Sequence, residues 1–457
     1  MKTPSYQPLL SSRRELLKQS SMGFGWLAFA ALNNWAKASE SFSGSIAVRK
    51  PHFQPKAKRV IFLFMRGGPS HLDTCDWKPE LAAAHGTDSA DGKLLGPQFS
   101  FTPRGDSGLM MSDLFPHLGK HADDLCLLNG MHTSNAAHNP ATGMMHTGSV
   151  NFIRPSMGSW VVYGLGTENE NLPGFLTINP NVAGGAQNYG SAFLPASYQG
   201  TRIDSSGAGI PNLQNASLSA ARQRQQVDLV QAMNRELFEE HPGNTELEGV
   251  IESYELAYRM QKEVPRIIDL SGESRESKER YGLGRNVRSS SFAAQCLMAR
   301  RLAEQGVRFI QVSHTGWDTH SNLQGALTRN ARNTDQAIAA LLQDLKDRDM
   351  LKDTLVVWGG EFGRSPQQES SDSYGRRHNH RGFSMWMAGG GVKGGMRYGA
   401  TDELGGTVVS GRMSIHDLHA TILHLLGLDH EKLTYRYAGR DFRLTDVYGE
   451  VAEEIVL

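Results

Sequence analysis

Five short apolar runs punctuate an otherwise polar chain. Residues 60–65 are apolar at every position, between Arg59 on one side and Gly67-Gly68-Pro69 on the other. A strand with one wet face would alternate, so an unbroken run predicts a central strand covered on both faces. Residues 125–128, 307–312, 354–358 and 383–387 read as further core strands. Helical patterns occupy residues 291–305, 333–348 and 415–426. Strands alternating with helices predict an α/β fold, a three-layer α/β/α sandwich around a mostly parallel sheet, with functional loops at the C-terminal edge of the strands.

Two stretches break this rhythm. Residues 180–285 begin rich in Gly, Asn and Ser and continue as charged helical segments at 217–240 and 245–262, which reads as an insertion or cap on the sheet domain or as an ordinary solvated face. Residues 39–57 are Ser-rich, then carry Lys and Pro without periodicity, which predicts a linker. The sheet domain is therefore expected over 58–457.

The first 38 residues have their own logic. Arg13-Arg14 and Lys18 precede an apolar stretch of 11 residues (22–32), followed by Ala36-Lys37-Ala38. That order predicts a twin-arginine signal peptide cleaved after Ala38, and a protein working in the periplasm or outside the cell. Eleven residues are too few to cross a bilayer as a helix, which takes about 20. No later stretch is longer, so no stable membrane span is expected.

Composition narrows the choice of function. The chain carries 47 basic and 47 acidic residues. Cleavage after Ala38 would leave 42 against 46, a net charge of −4 with no basic excess to recommend nucleic acid as a partner. Cys75, Cys126 and Cys296 are too few for a disulfide scaffold. The oligomeric state is not legible.

Candidate chemistry concentrates where the expected strands end. Asp318 and His320 follow the strand at 307–312 and are two residues apart, so on an extended segment they face one way. Glu361 follows the strand at 354–358, and His378 precedes the next. Imidazole nitrogens and carboxylate oxygens in this order suit a divalent cation: zinc, manganese or, with more carboxylates, calcium. The plainer alternative is a polar loop whose histidines only hydrogen-bond. Arg66 and Arg364 each follow a strand end and could clamp an oxyanion through paired N–H donors, or simply pair with carboxylates. Gly67-Gly68-Pro69 lacks the Lys and Ser/Thr of a phosphate-binding loop, and Gly389–Gly395 lacks the context of a dinucleotide fingerprint. Trp317, Trp358 and Trp386 could line a sugar cleft, although tryptophans near strand ends are more often core.

The residues from about Arg59 onward resemble the alkaline-phosphatase-like superfamily of sulfatases, phosphatases and cofactor-independent phosphoglycerate mutases. They are most similar to the bacterial proteins grouped as domain-of-unknown-function family 1501. The likeness rests on residues 67–79, 316–320, 360–364, 389–395 and 439–446 taken together. It implies a metal-dependent hydrolase of sulfate or phosphate esters, acting on a small-molecule or glycan ester, with Asp318, His320, Glu361 and His378 as ligands. It also exposes departures. The superfamily's metal Asp after the first strand is missing, and Asp73 or Asp76 could substitute. By spacing to Thr147-Gly148, His138 stands in the nucleophile's place and Thr142 where an Arg is usual. His138 would then be a ligand, an acid for the leaving group or a phosphoacceptor, and Ser134 or Thr142 the fallback nucleophile. The rival expectation is a non-catalytic descendant serving as a carbohydrate- or protein-binding component.

Overall fold

The computed structural model describes residues 46–180, 185–204, 210, 217–241, 244–284, 291–370 and 373–457. The expected signal peptide and the first residues of the expected linker lie outside them.

In chain order the main elements are β1 (Arg59–Met65), β2 (Leu125–His132), α1 (His138–Thr147), α2 (Met157–Leu165), β3 (Phe175–Ile178), β4 (Thr201–Ile203), α3 (Ala220–Glu240), α4 (Thr245–Ile268), α5 (Phe292–Glu304) and β5 (Phe309–His314). There follow α6 (Leu323–Asp347), β6 (Thr354–Gly359), β7 (Gly363–Ser370), β8 (Ser373–Asn379), β9 (Phe383–Ala388), β10 (Met396–Tyr398), β11 (Met413–Ser414) and α7 (Ile415–Leu425).

All five expected core strands enter one sheet, in the order β10-β2-β9-β6-β1-β5-β3-β4, with β11 also on β2. β9 runs antiparallel to both its neighbours, and the other pairs are parallel. The fold is α/β, a mixed, mostly parallel sheet flanked by helices.

β1 is buried at every position, as its unbroken apolar run requires. Its two faces meet different helices. Phe62 and Phe64 point to one side, where both rings touch His146 of α1. Met65 is in register with His314, whose ring meets Phe292 of α5. Since neighbours in register share a face and alternate residues swap faces, α1 and α5 lie on opposite sides of the sheet.

Several elements extend beyond what the sequence pattern suggested. α6 starts at Leu323, ten residues before the expected 333, and Leu323, Ala326, Leu327, Asn330 and Ala331 line its buried face. α4 runs through Pro265 to Ile268. Its Leu256, Met260, Val264 and Ile267 belong to the main core, while the partner helix α3 buries only Gln231. The helical stretch thus docks through one helix and presents the other to solvent. Residues 46–57 form no regular element, yet Lys56 and Ala57 donate their amide N–H groups to Leu425 O, fastening this segment against the end of α7.

The register fixes where loops emerge. Phe64 lies opposite Gly359 and Met65 opposite His314. The connections after β1, β5 and β6 therefore open side by side at the C-terminal edge of the sheet, the usual place for a ligand in an α/β fold.

Candidate metal centre

Four segments converge at that edge. The loop after β5 supplies Asp318 and His320. The loop after β6 supplies Glu361 and then Phe362. The first residue of α1, which follows β2, is His138. The β7–β8 hairpin carries His378, directly opposite Arg364 in its register. The backbone pieces are pressed together: Arg376 N–H donates to Thr319 O at 3.1 Å, tying the hairpin to the Asp318–His320 loop.

Gly67 shows why this corner needs glycine. Its φ is +116°, and a Cβ there would stand 2.4 Å from Asp318 N, with no room to give. The same close approach lets its N–H reach Glu361, at 3.0 and 3.1 Å from the two carboxylate oxygens.

The histidines are oriented from behind. His138 Nδ1 is 2.6 Å from Glu361 Oε1, His320 Nδ1 is 2.8 Å from Glu369 Oε2, and His378 Nδ1 is 2.7 Å from Ala136 O. Every one of these partners is an oxygen acceptor, so each Nδ1 carries a proton and each ring, when singly protonated, keeps its lone pair on Nε2. Those three Nε2 atoms surround the Asp318 carboxylate. His320 Nε2 is 2.9 Å and His378 Nε2 3.2 Å from Oδ1, and His138 Nε2 is 3.2 Å from Oδ2. One donor atom from each of His138, Asp318, His320 and His378 lies within 4.8 Å of the others.

Two contacts make this set unsatisfied by itself. His320 Nε2 and His378 Nε2 are 2.9 Å apart, lone pair toward lone pair. His138 Nε2 is buried with no aligned hydrogen-bond partner although Asp318 Oδ2 is near. Converging lone pairs need a proton or a cation between them. The protonation balance agrees: burial pulls the His138 pKa down, but hydrogen bonds and charge from Asp318 and Glu361 outweigh it and raise the ring to about 9. Burial likewise raises Asp318, yet His138, His378 and Arg364 together hold its carboxyl far below the usual range.

The Arg364 guanidinium is fully buried and committed to the scaffold. It donates to Gly68 O (3.0 Å), Arg376 O (3.2 Å), Gly67 O and Asp318 Oδ1 (2.5 Å). An oxyanion clamp needs free N–H groups, so this arginine holds the Gly67–Gly68 turn and Asp318 in place instead.

A profile for proteins of unknown function, DUF1501, matches residues 57–456. The chain belongs to the DUF1501 family. No curated protein sequence matches it. Among solved structures it is similar to the lipoteichoic acid synthase LtaP from Listeria monocytogenes, at 12% identity and TM-score 0.38 over 87% of this chain and 78% of that one. It is also similar to the PsFucS1 sulfatase from Pseudoalteromonas sp. (14% identity, TM-score 0.36, 92% and 73%). A third is the alkaline phosphatase from the Antarctic bacterium TAB5 (12% identity, TM-score 0.32, 81% and 98%).

In this DUF1501 chain the sequence-marked residues divide. Asp318, His320 and His378 meet, and His138 joins them. Glu361 stands behind His138 rather than in the cluster. Asp73, the expected substitute ligand, is turned elsewhere: its carboxylate pairs with Arg376 at 2.8 Å, both side chains fully buried, and accepts from Ser70 Oγ and Gln98 N–H. Asp76 is bound to Thr401 Oγ1, Asn129 and Lys78. Thr142 is buried, with its hydroxyl unpartnered, and Ser134 is exposed outside the cluster. The Arg66 guanidinium has no hydrogen bond or ion pair to any described residue, and its Nε is buried. His314 accepts the Trp317 indole N–H at 3.0 Å, and burial lowers its pKa to about 4. Trp317, Trp358 and Trp386 are buried, with the last two stacked 6.0 Å apart, so they are core and line no cleft. The Ala136 carbonyl and Glu369 had no signal in the sequence, because only the fold brings them beside His378 and His320.

Proposed function

We propose that His138, Asp318, His320 and His378 hold one divalent cation and that the protein hydrolyses phosphate or sulfate esters. The observation that carries this is the shared orientation of the three imidazoles, each donating Nδ1–H to an oxygen behind it and turning Nε2 to a common point beside a carboxylate. That is the arrangement in which outer partners fix ligand tautomers at metal sites. Three nitrogens and one carboxylate suit zinc or manganese, whereas calcium takes six to eight oxygens. When bound, such a cation polarises an ester oxygen and lowers the pKa of a water molecule from about 16 toward 7.

The chain's own residues supply the rest. Glu361 holds the His138 ring and its proton on Nδ1. Arg364 fixes Asp318. The N-terminus of α1, starting at His138, offers free N–H groups and the positive end of its dipole to a phosphate or sulfate oxygen. Arg66, with no partner among the described residues, is the residue we assign to the ester's remaining negative charge. With no hydroxyl or thiol in the cluster, water is the attacking group in this reading. Export through a twin-arginine signal belongs to the same proposal. Among the described residues no helix is long and apolar enough to cross a membrane.

One observation favours a second reading. His138 stands where the resemblance places a nucleophile, and the nearest alternative, Thr142, is sealed from solvent. A cation-stabilised carbohydrate- or protein-binding component would need no nucleophile.

The test is metal content, followed by hydrolysis of nitrophenyl phosphate and nitrophenyl sulfate by the purified full chain with added zinc or manganese. Turnover that disappears in Asp318→Asn and His378→Ala supports the hydrolase. Stoichiometric metal without turnover of either ester favours the binding component. A protein that takes up no metal contradicts both forms of the proposal.

A further inference from the structure

The three imidazoles are not held equally well. His138 is clasped between Phe362 (ring centroids 4.9 Å) and His378 (4.5 Å), with buried Glu361 behind it. His378 lies against Phe362 at 4.5 Å and donates to the Ala136 main chain. His320 is 40% exposed at its side chain, against 21% for each of the others, and among the described residues its one ring neighbour is His378 at 4.6 Å. Behind it stands a single acceptor, Glu369 Oε2 at 2.8 Å.

An imidazole with little packing around it can turn over about its Cβ–Cγ bond, and in solution it can carry its proton on either nitrogen. Either change removes the Nε2 lone pair from the cluster. Glu369 opposes both, since its carboxylate accepts only from an Nδ1–H and only with the ring in the observed orientation. We propose that Glu369 is the positioning residue for His320, fixing its tautomer and ring orientation for the cation. The inference rests on the cation reading given above. It gives the β7–β8 hairpin a double role: β8 delivers a ligand, His378, and β7 delivers the residue that aims another. Glu369 contributes no atom to the converging four.

The test uses the full chain and zinc alone, with affinity measured by competition against a chromophoric chelator. Glu369→Ala should weaken binding roughly 10- to 100-fold, the usual cost of losing an outer partner of a ligating histidine. Glu369→Gln, whose amide oxygen can still accept, should fall between that variant and the parent. In a His320→Ala background Glu369→Ala should have no further effect. The melting temperature of the metal-free protein should be unchanged, since Glu369 is partly exposed. Unchanged zinc affinity in Glu369→Ala overturns the proposal, as does an equal loss in the His320→Ala background or a fall in metal-free melting temperature with affinity intact. A parent protein that takes up no zinc removes the cation reading itself, an outcome distinct from parent-like affinity in Glu369→Ala.

Discussion

Two acidic clusters lie near the same sheet edge and differ in how their charges are answered. At Asp73 the carboxylate meets Arg376, Ser70 and the Gln98 amide, and both members of the ion pair are inaccessible to water. At Asp318 the carboxylate is 45% exposed, and three imidazole nitrogens crowd it with lone pairs turned inward. The first cluster is complete within the chain. In the second, Arg364 meets Asp318 Oδ1, but the imidazole nitrogens turned toward one another still need a proton or a cation between them. A carboxylate after a strand end is therefore a weak marker of chemistry, and what distinguishes the two is whether the surrounding donors and acceptors already balance.

The largest effect should come from the closed cluster. Asp73→Ala leaves Arg376 buried and unpaired, and breaking such a pair costs about 3–5 kcal/mol. Chemical denaturation should show that loss, while any zinc affinity measured below the transition stays near the parent value. Asp318→Asn should remove zinc binding and lower the metal-free unfolding midpoint less than Asp73→Ala does, because the Asp318 carboxylate is 45% exposed and buried Arg364 keeps its bonds to Gly67 O, Gly68 O and Arg376 O. If Asp73→Ala instead abolished zinc binding in the folded protein, the division between the clusters would fail.

Buried histidines outside the cluster sharpen the contrast. His146 and His419 are wholly buried, and burial lowers their pKa values to about 4 and about 3. Each has one nitrogen hydrogen-bonded to a main-chain carbonyl, Thr142 O and Met145 O respectively. With folded pKa values below the unfolded 6.5, their contribution is whole above pH 6.5 and is lost as pH falls toward 4 and then 3, because the unfolded chain takes up protons first. At about 1.4 kcal/mol per pKa unit the loss is on the order of a few kcal/mol. Denaturant midpoints between pH 7 and 4 should fall accordingly. His419→Gln should flatten the slope, and an unchanged slope would contradict this assignment.

A smaller effect is expected at Gly375. A Cβ there would lie 2.0 Å from the His320 carbonyl carbon, backbone against backbone, so Gly375→Ala must push the hairpin off the Asp318–His320 loop. The strain should cost about 1–3 kcal/mol and weaken zinc binding measurably. Parent-like affinity would show that the hairpin can shift without disturbing the site.

Much of this architecture was legible in the sequence, for reasons that also explain what was not. β1 announced itself because a doubly covered strand has to be apolar throughout. β3 and β4 did not, because four and three residues carry too little pattern to separate a strand from a loop. α1 was hidden by Pro140, Gly143 and three threonine or asparagine residues with poor helical propensity, and tertiary burial of Ala141, Met144 and Met145 overrides that preference. At the site, Asp318 and His320 could be paired by spacing, and His378 by its place before a strand. Asp73 was misleading, since nothing in its neighbourhood along the chain reveals Arg376, more than 300 residues away. Glu369 escaped for the same reason: a hairpin register, invisible to local pattern, sets it against His320.

The most direct test is anomalous diffraction from crystals of the protein grown or soaked with zinc. The account predicts a single strong peak about 2.0–2.2 Å from Nε2 of His138, His320 and His378 and from an Asp318 oxygen, absent in Asp318→Asn. Crystals holding zinc elsewhere, with these four side chains in place and no peak between them, would contradict it.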